Sequence, residues 1–292
     1  MLLQLSKTAN SLLSSSAGMS NYFRADPLRP TASAARSRPT LGLMSVARPY
    51  RRTCRQLADG SYANSGHGRY VEHPRYAKDP EHYVRAFLLI QKDLMELFDY
   101  VEPAEQNLGC YSYRIHELLL RACIEVEANC KAILLENCYK KKGDLRMSDY
   151  IKIEESHKLS EYTVRLPTWN GADGTRTPFS AWATNGSLQW YQAYNATKHD
   201  RHAEFKNATF GNMLDAVCGC LAILSAQFRD HDYSPQSGVL LLEGSSDGMS
   251  DAIGGFFRVG FPQSWSASDR YEFDWRTLEK DPDPFQEYKY PP

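Results

Sequence analysis

Residues 111–139 read Y-S-Y-R-I-H-E-L-L-L-R-A-C-I-E-V-E-A-N-C-K-A-I-L-L-E-N-C-Y and predict one long helix. Leu119, Cys123, Val126, Cys130 and Ile133 recur at steps of three and four, the period of one helix face. The other side carries Glu117, Arg121, Glu125 and Glu127. Glu117 to Arg121 and Glu127 to Lys131 are i,i+4 pairs with the acid first, the orientation that supports a helix. Lys140, Lys141, Lys142 and Gly143 then supply a stop, with positive charge where the helix dipole favours it.

The same rhythm appears on either side. Upstream, Phe87, Ile90, Leu94, Leu97 and Val101 form a stripe that starts near Pro80 and is ended by Pro103. Downstream, Phe210, Met213, Leu214, Val217, Leu221, Leu224 and Phe228 predict a helix over about 208–230. A further helix is expected from Ser187 and Leu188 to about His202. The middle is less regular. Ser148 or Asp149 is suited to cap a short helix that ends near His157, residues 162–166 alternate like a strand, and 168–177 have loop chemistry. Beyond Asp232, residues 239–242 and 256–261 look like strands around a Gly/Ser/Asp loop at 244–248. The closing aromatic segment, with Tyr271, Phe273, Trp275 and Phe285, is expected to staple back onto the helices. The fold class is therefore mainly α: an antiparallel helical bundle over 77–232, with a small irregular and β extension over 233–292.

Residues 1–76 stand apart. The first 60 hold nine basic residues against two acids, Asp26 and Asp59, and are rich in Ser and Ala. That composition suits an organelle transit peptide or a disordered basic tail, or else translation starts at Met19 or Met44. Residues 61–76, rich in Gly and Tyr, look like linker. The preferred expectation is a disordered extension followed by a linker.

The 292 residues carry a net charge of −1, so a nucleic-acid surface would have to be a local basic patch. No uninterrupted apolar run reaches the roughly 18 residues of a membrane span, and no membrane partner is expected. Seven cysteines include no C-x-x-C pair and no zinc spacing, and they read as buried free thiols in a reducing, cytoplasmic setting. Neither metal nor cofactor is expected. The loop at 245–251 lacks the spacing and closing Glu of a calcium site. Trp169, Trp182 and Trp190 read as packing anchors rather than base-stacking platforms.

The densest chemistry lies at 190–205, W-Y-Q-A-Y-N-A-T-K-H-D-R-H-A-E-F. On one helix, Asn195, Lys198, His199 and His202 fall at i, i+3, i+4 and i+7, beside Tyr194, with Arg201 on their edge. Lys198 and Arg201 suit phosphate oxygens, His199 suits general acid–base work near neutrality, and Asn195 suits positioning. Tyr194 and His202 complete the candidate binding set. With no carboxylate cluster nearby, the matching chemistry is metal-independent, with the ribose 2′-OH attacking the adjacent phosphate. The plain structural alternative is a solvated helix C-terminus, where cationic side chains are favoured by the dipole.

The order of a long helix with a Glu-rich face, an irregular middle, a helix holding Y-N-A-T-K-H and a closing apolar helix resembles the HEPN superfamily over roughly residues 80–231. That resemblance implies a small helical bundle, often a homodimer, acting on or binding RNA or nucleotides in defence or toxin–antitoxin systems. Its hallmark is an Arg, a polar residue, a short spacer and a His. Asn195 and His199 match that register, and Tyr194 stands where the arginine is expected. Two kinds of protein follow: a metal-independent endoribonuclease, or an inactive bundle serving as an RNA-binding, protein-interaction or scaffold module.

Overall fold

The computed structural model describes residues 45–172, 174–233 and 248–292. The helices are α1 (Pro80–Leu97), α2 (Tyr113–Glu136), α3 (Met147–Tyr150), α4 (Ile153–His157), α5 (Gln189–His199), α6 (Arg201–Glu204), α7 (Phe210–Phe228) and α8 (Trp275–Leu278). Among the described residues four short strands accompany them: β1 (Thr163–Arg165), β2 (Thr175–Arg176), β3 (Ser250–Asp251) and β4 (Arg258–Gly260). The mainly α expectation holds, and the long stripes read from sequence are the buried faces of α1, α2 and α7, except that α1 ends at Leu97 and leaves Val101 beyond it, half-buried.

Helices α2 and α7 form the centre. Their starts are joined by a bridge between Tyr111 and Thr209. Near their far ends, Gln227 Nε2 donates to Asn129 Oδ1 at 2.9 Å. The two helices therefore run parallel, which departs from the antiparallel bundle expected from the sequence: the long connection between them, residues 137–209, returns the chain to the start of α2 before α7 begins. Ser112 caps α2 by accepting from the Ile115 N–H, and Thr209 caps α7 by accepting from Asn212. α1 runs antiparallel to α2, since Arg121 pairs with Asp93 while the Lys78 N–H reaches Glu136. The i,i+4 pairs expected on α2 give way to other partners. Glu117 pairs with Arg114, Arg121 crosses to α1, and Glu127 accepts from Tyr191. Neighbouring helices offer Arg121 and Glu127 fixed partners that a lone helix lacks, whereas Glu117 turns to Arg114 of its own helix.

Helix α7 is the one helix among the described residues long and apolar enough to cross a membrane, but most of it is buried in the protein. Gly219 lets α5 approach it closely, since a Cβ there would lie 3.2 Å from the Trp190 ring.

The sheet has order β2-β1-β4-β3, all antiparallel, with Val164 opposite both Arg176 and Val259. Strands at 162–166 and 256–261 were expected but not their pairing, which joins the middle of the chain to its C-terminal part. β2 lies inside the stretch read as loop. The short helix expected before His157 is two, α3 and α4, and Asp149 sits in the first turn rather than at the cap, accepting from the Arg146 N–H at 2.8 Å. The strand read at 239–242 and most of the loop at 244–248 lie outside the described residues, as do residues 1–44.

The largest departure concerns residues 45–76, set apart as extension and linker. They share one core with the helices. Arg52, Cys54 and Arg55 are buried, as are Tyr70 and Tyr76. The Cys54 N–H donates to Ala226 of α7 at 2.8 Å, and Tyr271 Oη donates to Thr53 O at 2.9 Å. Arg55 lies 4.7 Å from the Trp265 ring and 4.9 Å from the Tyr50 ring. The arginines that made this segment look like a solvated tail are held by aromatic faces and carbonyls distant in sequence. Tyr271, Trp275 and Phe285 of the C-terminal segment are buried in the same core.

A buried polar node fastens both ends of the described chain. His157 accepts or donates through Nδ1 to Ser156 Oγ at 2.7 Å, and its Nε2 meets Arg52 O at 2.8 Å. Ser156 Oγ also meets Tyr290 Oη at 2.7 Å. Burial pushes the imidazole down to about 3. The folded protein thus resists a proton that the unfolded chain takes up near 6.5. The stability this neutral imidazole permits is complete above about 6.5 and is lost as pH falls from there toward 3. The slope is at most about 1.4 kcal/mol per pH unit. Urea titrations of wild type and His157→Asn at pH 7 and pH 4.5 should show the wild type losing more stability on acidification than the variant. Equal losses would refute the assignment.

Candidate functional site

Helix α5 enters from Leu188 and is anchored by Trp190, whose Nε1 donates to Pro178 O at 2.8 Å. One turn on, Tyr191 Oη donates to Glu127 Oε1 of α2 at 2.7 Å. The next turn places Tyr194 in the core, 1% exposed, with its ring 5.3 Å from that of Tyr191. Lys198 lies one turn further, exposed at its head. Its Nζ donates to Tyr194 Oη at 3.0 Å and stands 4.9 Å from the ring centroid.

This arrangement couples the charges. Burial raises the Tyr194 phenol, opposed by the lysine bond. The same bond raises Lys198, with Glu127 adding to the effect. Lys198 is therefore a firmly protonated ammonium. The seam Glu127–Tyr191–Tyr194–Lys198 links an α2 acid to an α5 cation through two tyrosines.

The helix expected to reach His202 stops at His199. Asp200 takes φ −137° and ψ 77°, and its carboxylate accepts from the Ala203 N–H at 3.1 Å, capping α6. His202 therefore does not continue the face of Asn195, Lys198 and His199. Asn195 is partly buried, while His199, Arg201 and His202 are exposed. Of the six candidates, Lys198, His199, Arg201 and His202 share the exposed α5–α6 edge, and Tyr194 lies beneath it. Lys206, just beyond, is also exposed. The intervening acids are engaged locally, Asp200 by its cap and Glu204 by Asn207.

Beside this edge lies a group that sequence reading passed over. Phe205 follows α6 and stands 4.8 Å from the Tyr113 ring, and 5.6 Å from those of Tyr111 and His116. His116 is lowered by burial and by the nearby Arg201. The signal for it was the Y-S-Y opening of the α2 sequence, where two tyrosines flank a cap.

No group of His, Cys, Asp and Glu suited to a metal occurs among the described residues. Cys54, Cys123, Cys130, Cys218 and Cys220 are buried free thiols, whereas Cys110 is half-buried and Cys138 exposed. A cavity of about 440 Å³ opens between α1 and α2, lined by Asp93, Glu96, Leu97, Tyr100, Arg114 and Arg121. Compared with known proteins, the chain matches no family model, no curated protein and no solved structure.

Proposed function

We propose that this protein binds RNA through the exposed α5–α6 edge, on a mainly helical scaffold of the HEPN kind. The observation that carries the reading is the run of Lys198, His199, Arg201, His202 and Lys206, exposed together while Asp200 and Glu204 are taken up by their own backbone and by Asn207. A short cationic edge of this kind suits phosphate on a chain whose overall charge is close to zero. Binding is favoured over cleavage because Tyr194, where the HEPN motif would place its arginine, is committed to the core and leaves no guanidinium for a phosphate. His199 would be the general acid–base group if cleavage occurred.

Fluorescence anisotropy with a labelled single-stranded RNA tests the reading. Lys198→Ala and Arg201→Ala combined should weaken binding at least tenfold without lowering the melting temperature by more than a few degrees. The RNA should stay intact in EDTA. Wild-type affinity in the double variant would contradict the proposal, and cleavage in EDTA that His199→Ala abolishes would replace it with the nuclease reading.

A further inference from the structure

Tyr113 and Tyr111 are 69% and 52% exposed at the start of α2, although both are large and aromatic. Their placement is rigid. The Tyr111–Thr209 bridge is flanked by Phe210 N–H to Cys110 O at 2.7 Å and Gly211 N–H to Leu108 O at 2.9 Å. This junction fixes the first turns of α2 and α7 side by side, so the positive ends of the two longest helices meet at one edge. Phe205 backs the Tyr113 ring at 4.8 Å with planes 38° apart, leaving the tyrosine's outer face to solvent.

Cationic residues flank this aromatic group along the chain. Arg114 follows Tyr113 and forms a solvent-exposed pair with Glu117 at 3.0 Å, a contact weak enough to exchange for phosphate. Lys206 follows Phe205, and Arg201 lies close enough to His116 to depress its basicity. His116 itself is 6% exposed, packed against Phe205, and nothing among the described residues hydrogen-bonds its Nε2. Aromatic faces interleaved with lysine and arginine are what single-stranded nucleic acid uses: bases stack on the rings and cations track the backbone. Double-stranded RNA keeps its bases stacked internally and gains nothing from such rings. A protein partner fits this edge less well, since the residues that follow Tyr113 and Phe205 in the chain are cationic, and Glu117 and Glu204 already accept from Arg114 and Asn207.

We infer that this edge selects single-stranded RNA, stacking an unpaired base on Tyr113 while Arg201 and Lys206 hold the flanking phosphates. The inference rests on the RNA-binding reading and deepens it. The full chain is titrated into a fluorescein-labelled uridine decamer and into a duplex of the same length. Wild type should prefer the decamer. Tyr113→Ala should weaken decamer binding about tenfold, and Tyr113→Trp should restore it. Thermal melting should hardly change, because Tyr113 is mostly exposed. A 2-aminopurine within the decamer should be quenched by wild type and less so by Tyr113→Leu.

If Tyr113→Ala binds like wild type while Lys198→Ala with Arg201→Ala still weakens binding, the stacking site is overturned and the RNA reading stands. If wild type binds no decamer, both fall. If Tyr113→Ala instead converts a dimer to a monomer in light scattering and leaves RNA affinity unchanged, the edge is a contact between chains and the inference is overturned.

Discussion

Arg52→Ala should destabilise the protein by about 3 kcal/mol in urea unfolding, the cost of breaking a buried ion pair by removing one partner. The side chain is fully buried. Its Nε donates to Glu136 Oε1 at 2.6 Å, its Nη1 to Gln227 Oε1 at 2.9 Å, and its Nη2 to Lys78 O. The guanidinium also lies 4.6 Å from the Tyr83 ring. One residue thus ties the segment before α1 to the ends of α2 and α7. Its loss strands the Gln227 carbonyl in the core, where an unmet acceptor costs about 1–3 kcal/mol. Arg52→Lys should recover little, since an ammonium is a point charge and cannot span three partners in fork geometry. A loss under about 1 kcal/mol in the alanine variant would mean that residues 45–57 contribute little to the fold.

Tyr194→Ala should cost about 3 kcal/mol, at the lower end of aromatic-to-alanine substitutions in cores. The ring is 1% exposed and packs beside Tyr191, so its removal would leave a void in the core next to α5. Tyr194→Phe keeps the ring and loses only the bond from Lys198, so about 1 kcal/mol is expected. The pair separates two roles. If Tyr194 is a core residue, the phenylalanine variant loses no more than about 1 kcal/mol and keeps its RNA affinity. If its hydroxyl is part of a ligand site, that variant loses affinity while staying folded.

The three long helices were legible because each is long enough for its burial period to stand out from its composition. Phe87 and Leu94, Val126 and Cys130, and Val217 and Leu224 are all buried where the stripes put them. Residues 45–76 were not legible, because no local pattern distinguishes a solvated arginine from one held by partners far along the chain. Arg55 is enclosed by Trp265 and Tyr288, and Arg52 by Glu136 and Gln227. At the site, the cluster of cations was visible but its geometry was not. Periodicity alone carries a helix through Asp200, and only the cap it makes with Ala203 separates His202 from His199. An Asp at that point is an available cap signal, outweighed in the reading by the regular spacing of the polar residues. Tyr194 was misplaced for a related reason. Its neighbour Asn195 and the following Lys198 suggested a polar face, whereas the helix rotates the phenol inward and leaves only the lysine head at the surface.

The most direct measurement is the salt dependence of RNA affinity, as the slope of log K against log of the salt concentration for a single-stranded oligonucleotide. Phosphate contacts contribute about −0.7 each to that slope for single strands. Wild type should show a steep negative slope, and Lys198→Ala combined with Arg201→Ala should reduce its magnitude by about 1.4 if each cation holds one phosphate. A wild-type slope near zero, or an unchanged slope in the double variant, would contradict the assignment of the α5–α6 edge to RNA.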